Sequence, residues 1–216
     1  MDRRLVRDVL AIAVAVCFVG ISFGAIAVAA GLPDWAVVIM SVTVFAGGSQ
    51  FMAVAMLAAG SPVTAVLGGL LLNARHLPFG LAVGDMLTGR GARLIGSHLL
   101  VDESVAFALA QSERARRLGA YWLTGASLFV SWLAGTVLGV LIGAAVGDPA
   151  TFGLDAAFPA ALLALLLPRL RERAAARVAL VGAAVAVAAS FVVPAGLPIL
   201  LGLVGLLFAG RAPARA

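Results

Sequence analysis

The stretch VLAIAVAVCFVGISFGAIAVAA, residues 9–30, decides the class of fold because it contains no charged side chain. About 20 apolar residues are enough for a helix to cross a hydrocarbon core of about 30 Å. Arg3, Arg4 and Arg7 precede the stretch, as in a signal peptide, but its length favours a first membrane span over a cleaved leader.

The composition extends this interpretation to the whole chain. Of the 216 residues, 63% are hydrophobic and 12% are charged, whereas soluble domains average roughly 45–50% and 25%. A soluble fold is therefore excluded, and we predict an all-α, polytopic membrane helix bundle that forms one domain over residues 1–216. The net charge of +5 does not indicate nucleic-acid binding, because the arginines lie in short groups between apolar runs.

The number of spans depends on residues 94–111, which are apolar at both ends but carry His98, Asp102 and Glu103 in the middle. If this segment crosses, the chain has eight spans with both termini inside; otherwise it has seven, with the N-terminus outside. Both arrangements place the C-terminus in the cytoplasm by the positive-inside rule, and the N-terminal arginine cluster favours eight. The other candidate spans are residues 9–30, 35–59, 62–83, 120–146, 157–167 with flanks, 178–193 and 197–209.

The second of these spans is predicted to be a broken helix. Gly47 and Gly48 lie in its middle, and each glycine costs a helix about 1 kcal/mol relative to alanine. Broken helices within membranes line cavities and expose backbone dipoles to substrates. Ser49 is expected to cap the second half-helix so that free N–H groups face a carboxylate, with Gln50 on the same face as Gly47. The alternative is a close packing contact at the glycines.

The third span contains a group of polar residues, Asn73, Arg75 and His76, just before Pro78. Because proline has no N–H, the carbonyl of Ala74 is predicted to be left free beside these side chains. His76 is either a packed histidine or a group that titrates near neutral pH. It lacks partners at metal-ligand spacing, so we expect no metal site and no cofactor.

The position of Arg75 within an apolar run predicts an ion pair within the membrane. A charged residue at the centre of a membrane helix costs on the order of 2.5–3.5 kcal/mol, so Arg75 is expected to pair with Asp102 or Glu103. His98, four residues before Asp102, is expected to share its helical face and to hydrogen-bond to it. In the alternative interpretation these groups lie at the membrane interface, where they reach water at little cost.

Two further patterns concern helix packing and helix breaks. In the fourth long span, glycines recur every four residues, at Gly135, Gly139, Gly143 and Gly147. Small residues at this spacing form a groove for close packing, against another helix of this chain or, alternatively, against a separate subunit. The pair Phe158 and Pro159 is expected to break a later helix and to free the carbonyl of Asp155.

Together these motifs resemble the AzlC family, the large subunit of bacterial branched-chain amino acid exporters. The matching stretches are residues 20–24 (GISFG), 41–51 (SVTVFAGGSQF), 73–76 (NARH), 102–104 (DES) and 153–159 (GLDAAFP). The resemblance implies a transporter, not an enzyme, that exports leucine, isoleucine and valine across the bacterial inner membrane. It also implies coupling to an ion gradient and a small partner subunit of the AzlD type.

These expectations assign a role to each group of residues. The expected substrate-binding residues are Gly47, Gly48, Ser49, Gln50, Asn73, Arg75, Phe23 and Phe45. Arg75 and the backbone N–H groups suit a carboxylate, and the two phenylalanines suit an aliphatic side chain. His76, Asp102 and Glu103 are the expected ion-coupling residues. The alternatives are a passive channel, a non-transporting membrane subunit, and a lipid-modifying membrane enzyme that uses Asp102 and Glu103.

Overall fold

A computed structural model describes residues 3–146, 163, 166–167, 169–193 and 197–208. The regular structure in these residues is helical, which confirms the all-α class. The α-helices are α1 (Arg3–Ala29), α2 (Asp34–Thr43), α3 (Gly47–Ala58), α4 (Pro62–Asn73), α5 (His76–Val83), α6 (Arg90–His98), α7 (Asp102–Leu109), α8 (Arg114–Val146), α9 (Arg173–Ser190) and α10 (Leu197–Leu201). Short 3-10 helices occupy Arg169–Arg171 and Gly202–Phe208.

The two longest helices, α1 with 27 residues and α8 with 33, pack against each other through glycines. A Cβ atom at Gly139 would overlap the carbonyl oxygen of Ile21, and one at Gly135 would overlap that of Cys17. From the other side, a Cβ atom at Gly24 would overlap the carbonyl oxygen of Thr136. The two backbones therefore touch, which only small residues allow.

The glycine stripe of α8 thus lies against a helix of the same chain. Gly143 continues the contact, because a Cβ atom added there would lie 3.1 Å from the Cα atom of Ala25. The fourth member of the predicted stripe, Gly147, lies outside the described residues, as do Asp155, Phe158 and Pro159.

Between α1 and α8 the chain forms three pairs of short helices. The segment predicted as a span over residues 35–59 is interrupted at residues 44–46, between α2 and α3. The pair α4 and α5 is interrupted only at residues 74–75, and α6 and α7 are separated by residues 99–101. Residues 94–111 therefore do not form one continuous helix, because His98 ends α6 and Asp102 begins α7.

Among the described residues, four helical segments are long and apolar enough to cross a membrane by length and composition. They are Arg3–Ala29, Pro62–Val83, Arg114–Gly143 and Arg173–Ser190. Large apolar side chains on the outside of these segments are exposed, for example Leu77 at 73% and Leu81 at 87%. This outward apolar surface is typical of helices that face lipid, and it fits the predicted membrane bundle.

The C-terminal helices pack on one another in the same way as α1 and α8. The 3-10 helix Gly202–Phe208 lies along α9, where a Cβ atom at Gly205 would overlap the carbonyl oxygen of Val178. The predicted span over residues 178–193 corresponds to α9, which starts earlier, at Arg173. The predicted span over residues 157–167 lies almost entirely outside the described residues.

Candidate functional site

The three helix breaks meet at one partly open cavity of about 240 Å³. Small-molecule sites usually measure about 300–1,000 Å³, so a cavity of this volume suits a small ligand. Both histidines of the chain are among its lining residues. The cavity is lined by Val44, Phe45, Ala46, Asn73, His76, Ser97, His98 and Leu100.

The first break is built by side chains that replace helix hydrogen bonds. Phe45 has a φ of +42°, which is uncommon for a residue with a side chain and interrupts the helix. The N–H of Ala46 donates to Oε1 of Gln50 at 3.1 Å, and the Ser49 hydroxyl donates to the Ala46 carbonyl at 2.9 Å. Gln50 also donates from Nε2 to the hydroxyl oxygen of Ser41 at 3.1 Å.

Two predictions about this break are corrected. The helix is interrupted before the glycines, since α3 begins at Gly47. Ser49 does not cap α3, because its hydroxyl donates to a carbonyl while the longer side chain of Gln50 reaches the free N–H. Gly47 is instead needed for packing: a Cβ there would lie 3.1 Å from the ring of Trp132, whereas Gly48 has open space.

The second break places a buried acceptor at the cavity. The side-chain oxygen Oδ1 of Asn73 is buried and has no hydrogen-bond partner among the described residues. Nδ1 of His76 lies 2.9 Å from the backbone carbonyl oxygen of Asn73. Because a carbonyl only accepts, Nδ1 carries the hydrogen in this contact. The predicted free carbonyl at Ala74 is wrong, since the N–H of Leu77 donates to it at 3.1 Å.

The third break is held by Ser104. Its hydroxyl oxygen accepts from the N–H of Val101 at 3.0 Å and lies 2.9 Å from the carbonyl oxygen of the same residue. The ring of His98 packs against Phe129, with centroids 5.4 Å apart, and against Phe45 at 6.2 Å. The prediction that His98 shares a helical face with Asp102 is wrong, because α6 ends at His98 and α7 begins at Asp102.

An ion pair joins the second and third breaks. Nη1 of Arg75 lies 2.8 Å from Oδ2 of Asp102, and each side chain remains 44% exposed. Of the two predicted partners, Asp102 is the one that forms the pair, while Glu103 follows it in the first turn of α7 and is half-buried. Arg75 does not line the cavity, although it is two residues from Asn73, which does.

The structure separates the other predicted residues into two groups. Phe45 lines the cavity, whereas Phe23 is fully buried in the core, with ring centroids 5.3 Å from Phe51 and 5.4 Å from Trp132. The four residues 47–50 form the first turn of α3 directly after the cavity-lining Ala46, but they do not line it themselves. No cluster of three or more His, Cys, Asp or Glu side chains occurs in the part of the chain that the structure describes.

Several residues at or behind the cavity were not predicted. Ser97 and Leu100 line it, and the hydroxyl groups of Ser41 and Thr136 lie 3.1 Å apart in the buried layer behind the first break. Thr136 carries a weak signal in the sequence, because it directly follows Gly135 of the glycine stripe. Nothing in the sequence indicates that it contacts Ser41.

These features define a class: a polytopic helical membrane protein whose discontinuous helices surround a cavity, as in many transporters. The sequence profile of the AzlC protein family matches residues 11–146. The chain belongs to this family. The matched residues include all three helix breaks, the cavity and the Arg75–Asp102 pair.

Three relatives extend the similarity beyond the family profile. "Inner membrane protein YgaZ" of Escherichia coli is 32% identical over 189 residues, which cover 82% of this chain and 77% of that protein. "Branched-chain amino acid transport protein AzlC" of Bacillus subtilis is 28% identical over 194 residues, covering 85% and 76%. An "Uncharacterized membrane protein" of Archaeoglobus fulgidus is 33% identical over 178 residues, covering 79% and 76%.

No solved structure matches the chain. The family and the names of the relatives support a role in membrane transport for this protein. The apolar helices and the relatives named as membrane proteins agree that it is a membrane protein.

Proposed function

We propose that this protein is a secondary transporter, not an enzyme, that exports branched-chain amino acids across the bacterial inner membrane. The observation that carries the proposal is the convergence of three helix breaks on one small cavity. The name of the Bacillus subtilis relative supports the substrate class. The proposal includes a single domain over residues 1–216, a cytoplasmic C-terminus and a small partner subunit of the AzlD type.

The chemistry of the cavity suits an amino acid with an aliphatic side chain. Val44, Phe45 and Leu100 supply apolar contact surface, and Asn73 supplies a buried oxygen without a partner. A buried acceptor that lacks a hydrogen bond costs roughly 1–3 kcal/mol. In the proposal, the Asn73 side chain turns this oxygen toward the cavity and a ligand ammonium donates to it, so the cavity favours a primary amine over an apolar molecule.

In the proposal, Arg75 and the first N–H groups of α3 receive the substrate carboxylate. Arg75 uses Nη1 for Asp102, and its guanidinium carries a single positive charge that a second carboxylate must share. Gly47 and Gly48 open α3 next to Ala46, and helix N-termini favour negative charge. The carboxylate then competes with Asp102 for the same cation.

This competition provides a route to ion coupling. When the substrate carboxylate takes Arg75, Asp102 loses its cationic partner. His76, which lines the cavity, is the second member of the proposed coupling group. Glu103, beside Asp102, is the third member. In the proposal, the exchange of partners at Arg75 links substrate binding to this group.

The test uses cells that lack the gene and are fed a dipeptide containing leucine. We expect internal leucine to accumulate, and the wild-type gene to restore efflux. Asn73→Leu should fail to restore it, because the buried acceptor is gone, whereas Ser190→Ala on the exposed end of α9 should restore it fully. Normal leucine efflux without the protein contradicts the proposal.

A reconstitution experiment separates transport from passive flow. Vesicles that contain the purified protein with its partner subunit should show saturable leucine flux that depends on a pH gradient. Flux that rises linearly with leucine concentration and ignores the gradient would instead indicate a passive channel.

A further inference from the structure

A buried chain of hydrogen bonds connects α8 to the first helix break. The hydroxyl groups of Thr136 and Ser41 lie 3.1 Å apart, and Nε2 of Gln50 donates to Ser41 at 3.1 Å. Oε1 of Gln50 accepts from the N–H of Ala46, also at 3.1 Å. We call Thr136, Ser41 and Gln50 the relay. They are at most 1% exposed, so water does not compete for their hydrogen bonds.

The relay ends at the N–H group that the break would otherwise leave unpaired. In a continuous helix the N–H of Ala46 would donate to the carbonyl of Val42, four residues earlier. Phe45, at a φ of +42°, prevents this, and Gln50 takes over as the acceptor. A residue with a side chain keeps such a backbone conformation only where its surroundings hold it.

The fixed end of the relay belongs to the most closely packed part of the molecule. Thr136 stands between Gly135 and Gly139, the glycines through which α8 touches α1. The other end is a three-residue break that lines the cavity with Val44, Phe45 and Ala46. The relay therefore connects α8 by hydrogen bonds to the wall of the cavity formed by residues 44–46.

We propose that Thr136 is a positioning residue for this cavity: through Ser41 and Gln50 it sets the backbone of residues 44–46. Thr136 does not contact the substrate. The inference rests on the proposed transport function for its effect on leucine, but the effect on the backbone of the break stands by itself.

The test compares Thr136→Val, which keeps the shape and removes the hydroxyl, with Thr136→Ser, which keeps the hydroxyl. In reconstituted vesicles Thr136→Val should raise the KM for leucine roughly five- to tenfold with little change in maximal rate, the effect of about one lost buried hydrogen bond. Thr136→Ser should restore a KM close to that of the wild type.

Thr124→Val is the matched control on the same helix. The hydroxyl of Thr124 is also buried but has no hydrogen-bond partner among the described residues, so its removal should leave the KM unchanged. A wild-type KM in Thr136→Val overturns the inference, as does a Thr136→Ser variant that is as impaired as Thr136→Val.

A second readout separates this inference from the transport proposal. Hydrogen–deuterium exchange of the peptide that covers residues 44–50 should become faster in Thr136→Val and stay unchanged in Thr124→Val. Unchanged exchange in both variants overturns the positioning role. If exchange rises but the wild type moves no leucine, the positioning role holds and the proposed substrate is wrong.

Discussion

The α1–α8 pair and the three broken helix pairs are held together in different ways. In α1 and α8 the backbones touch through glycines, so the contact leaves little room for movement. In the broken pairs, polar side chains such as Gln50 and Ser104 replace the missing helix hydrogen bonds. Backbone packing makes a rigid support, and side-chain hydrogen bonds make a wall that a small ligand can approach.

Both regions hold a buried polar atom without a partner among the described residues, in Asn73 of the broken pairs and in Thr124 and Trp132 of α8, but they differ in charge. The broken pairs hold the unpartnered oxygen of Asn73 and an ion pair, Arg75–Asp102, with both side chains half exposed. Charged groups in a bilayer cost free energy, and those that occur there usually mark functional sites. The comparison therefore predicts that changes to the α1–α8 glycine contact affect folding and that changes to the polar groups of the broken pairs affect transport.

The largest effect is expected from Gly139→Leu in α8. The new side chain would collide with the backbone carbonyl of Ile21, and a backbone cannot move aside as a side chain can. Overpacking typically costs roughly 1–3 kcal/mol, and more where the backbone must shift. We expect the variant to be lost from the membrane fraction, measured by quantitative immunoblotting of membranes.

Gly119→Leu serves as the control for this change, because a Cβ atom at Gly119 meets no atom within 4 Å. Both substitutions are in α8 and have the same helix propensities. Equal membrane levels of the two variants would show that the glycine contact is not what holds α1 against α8.

The next effect concerns the ion pair. Arg75→Ala should abolish leucine efflux and leave the amount of protein in the membrane close to that of the wild type, because its partner Asp102 is only half-buried. The measurement is leucine efflux from cells loaded with a dipeptide, normalised to membrane protein. Arg7→Ala, which removes another exposed arginine–aspartate pair, is expected to transport normally. Unchanged efflux kinetics in Arg75→Ala would show that the Arg75–Asp102 ion pair has no role in transport.

The smallest effect is expected where the two regions meet at Tyr121. Its hydroxyl donates to the carbonyl oxygen of Gly96 at 2.6 Å and so ties α8 to α6. Tyr121→Phe should cost about 1 kcal/mol, or roughly 2–4 °C in the melting temperature of a protein of this size. Phe18→Leu, at an exposed position of α1, should leave the melting temperature unchanged in the same detergent. If Tyr121→Phe lowered leucine efflux while its melting temperature stayed unchanged, Tyr121 would act on the cavity and not on the packing of α8.

Much of the fold follows from the sequence because lipid imposes simple rules. Apolar length predicts α1, α8 and α9, and a four-residue glycine period predicts a close helix contact. The partner helix does not follow from the period, since Gly139 and Ile21 are far apart in the chain. The exact position of the first break was also not predictable, because it depends on which side chain reaches the N–H of Ala46.

The candidate site is predictable in its residue types but not in its geometry. Costly polar residues within apolar runs, such as Arg75 and Asn73, draw attention to segments that lie at or beside the helix breaks. The sequence did not reveal that both phenylalanines are buried in the core but that Phe45 also lines the cavity. Phe45 lies within the first break, at a φ of +42°, whereas Phe23 lies within α1.

The central claim is that the meeting point of the three breaks binds branched-chain amino acids. It is tested most directly by introducing a thiol into the cavity as Ser97→Cys, in a background that carries Cys17→Ala to remove the native cysteine. Saturating leucine should slow the reaction of this thiol with a water-soluble maleimide, and leave the reaction of Ser190→Cys on α9 unchanged. Equal reaction rates with and without leucine at both positions would contradict the claim.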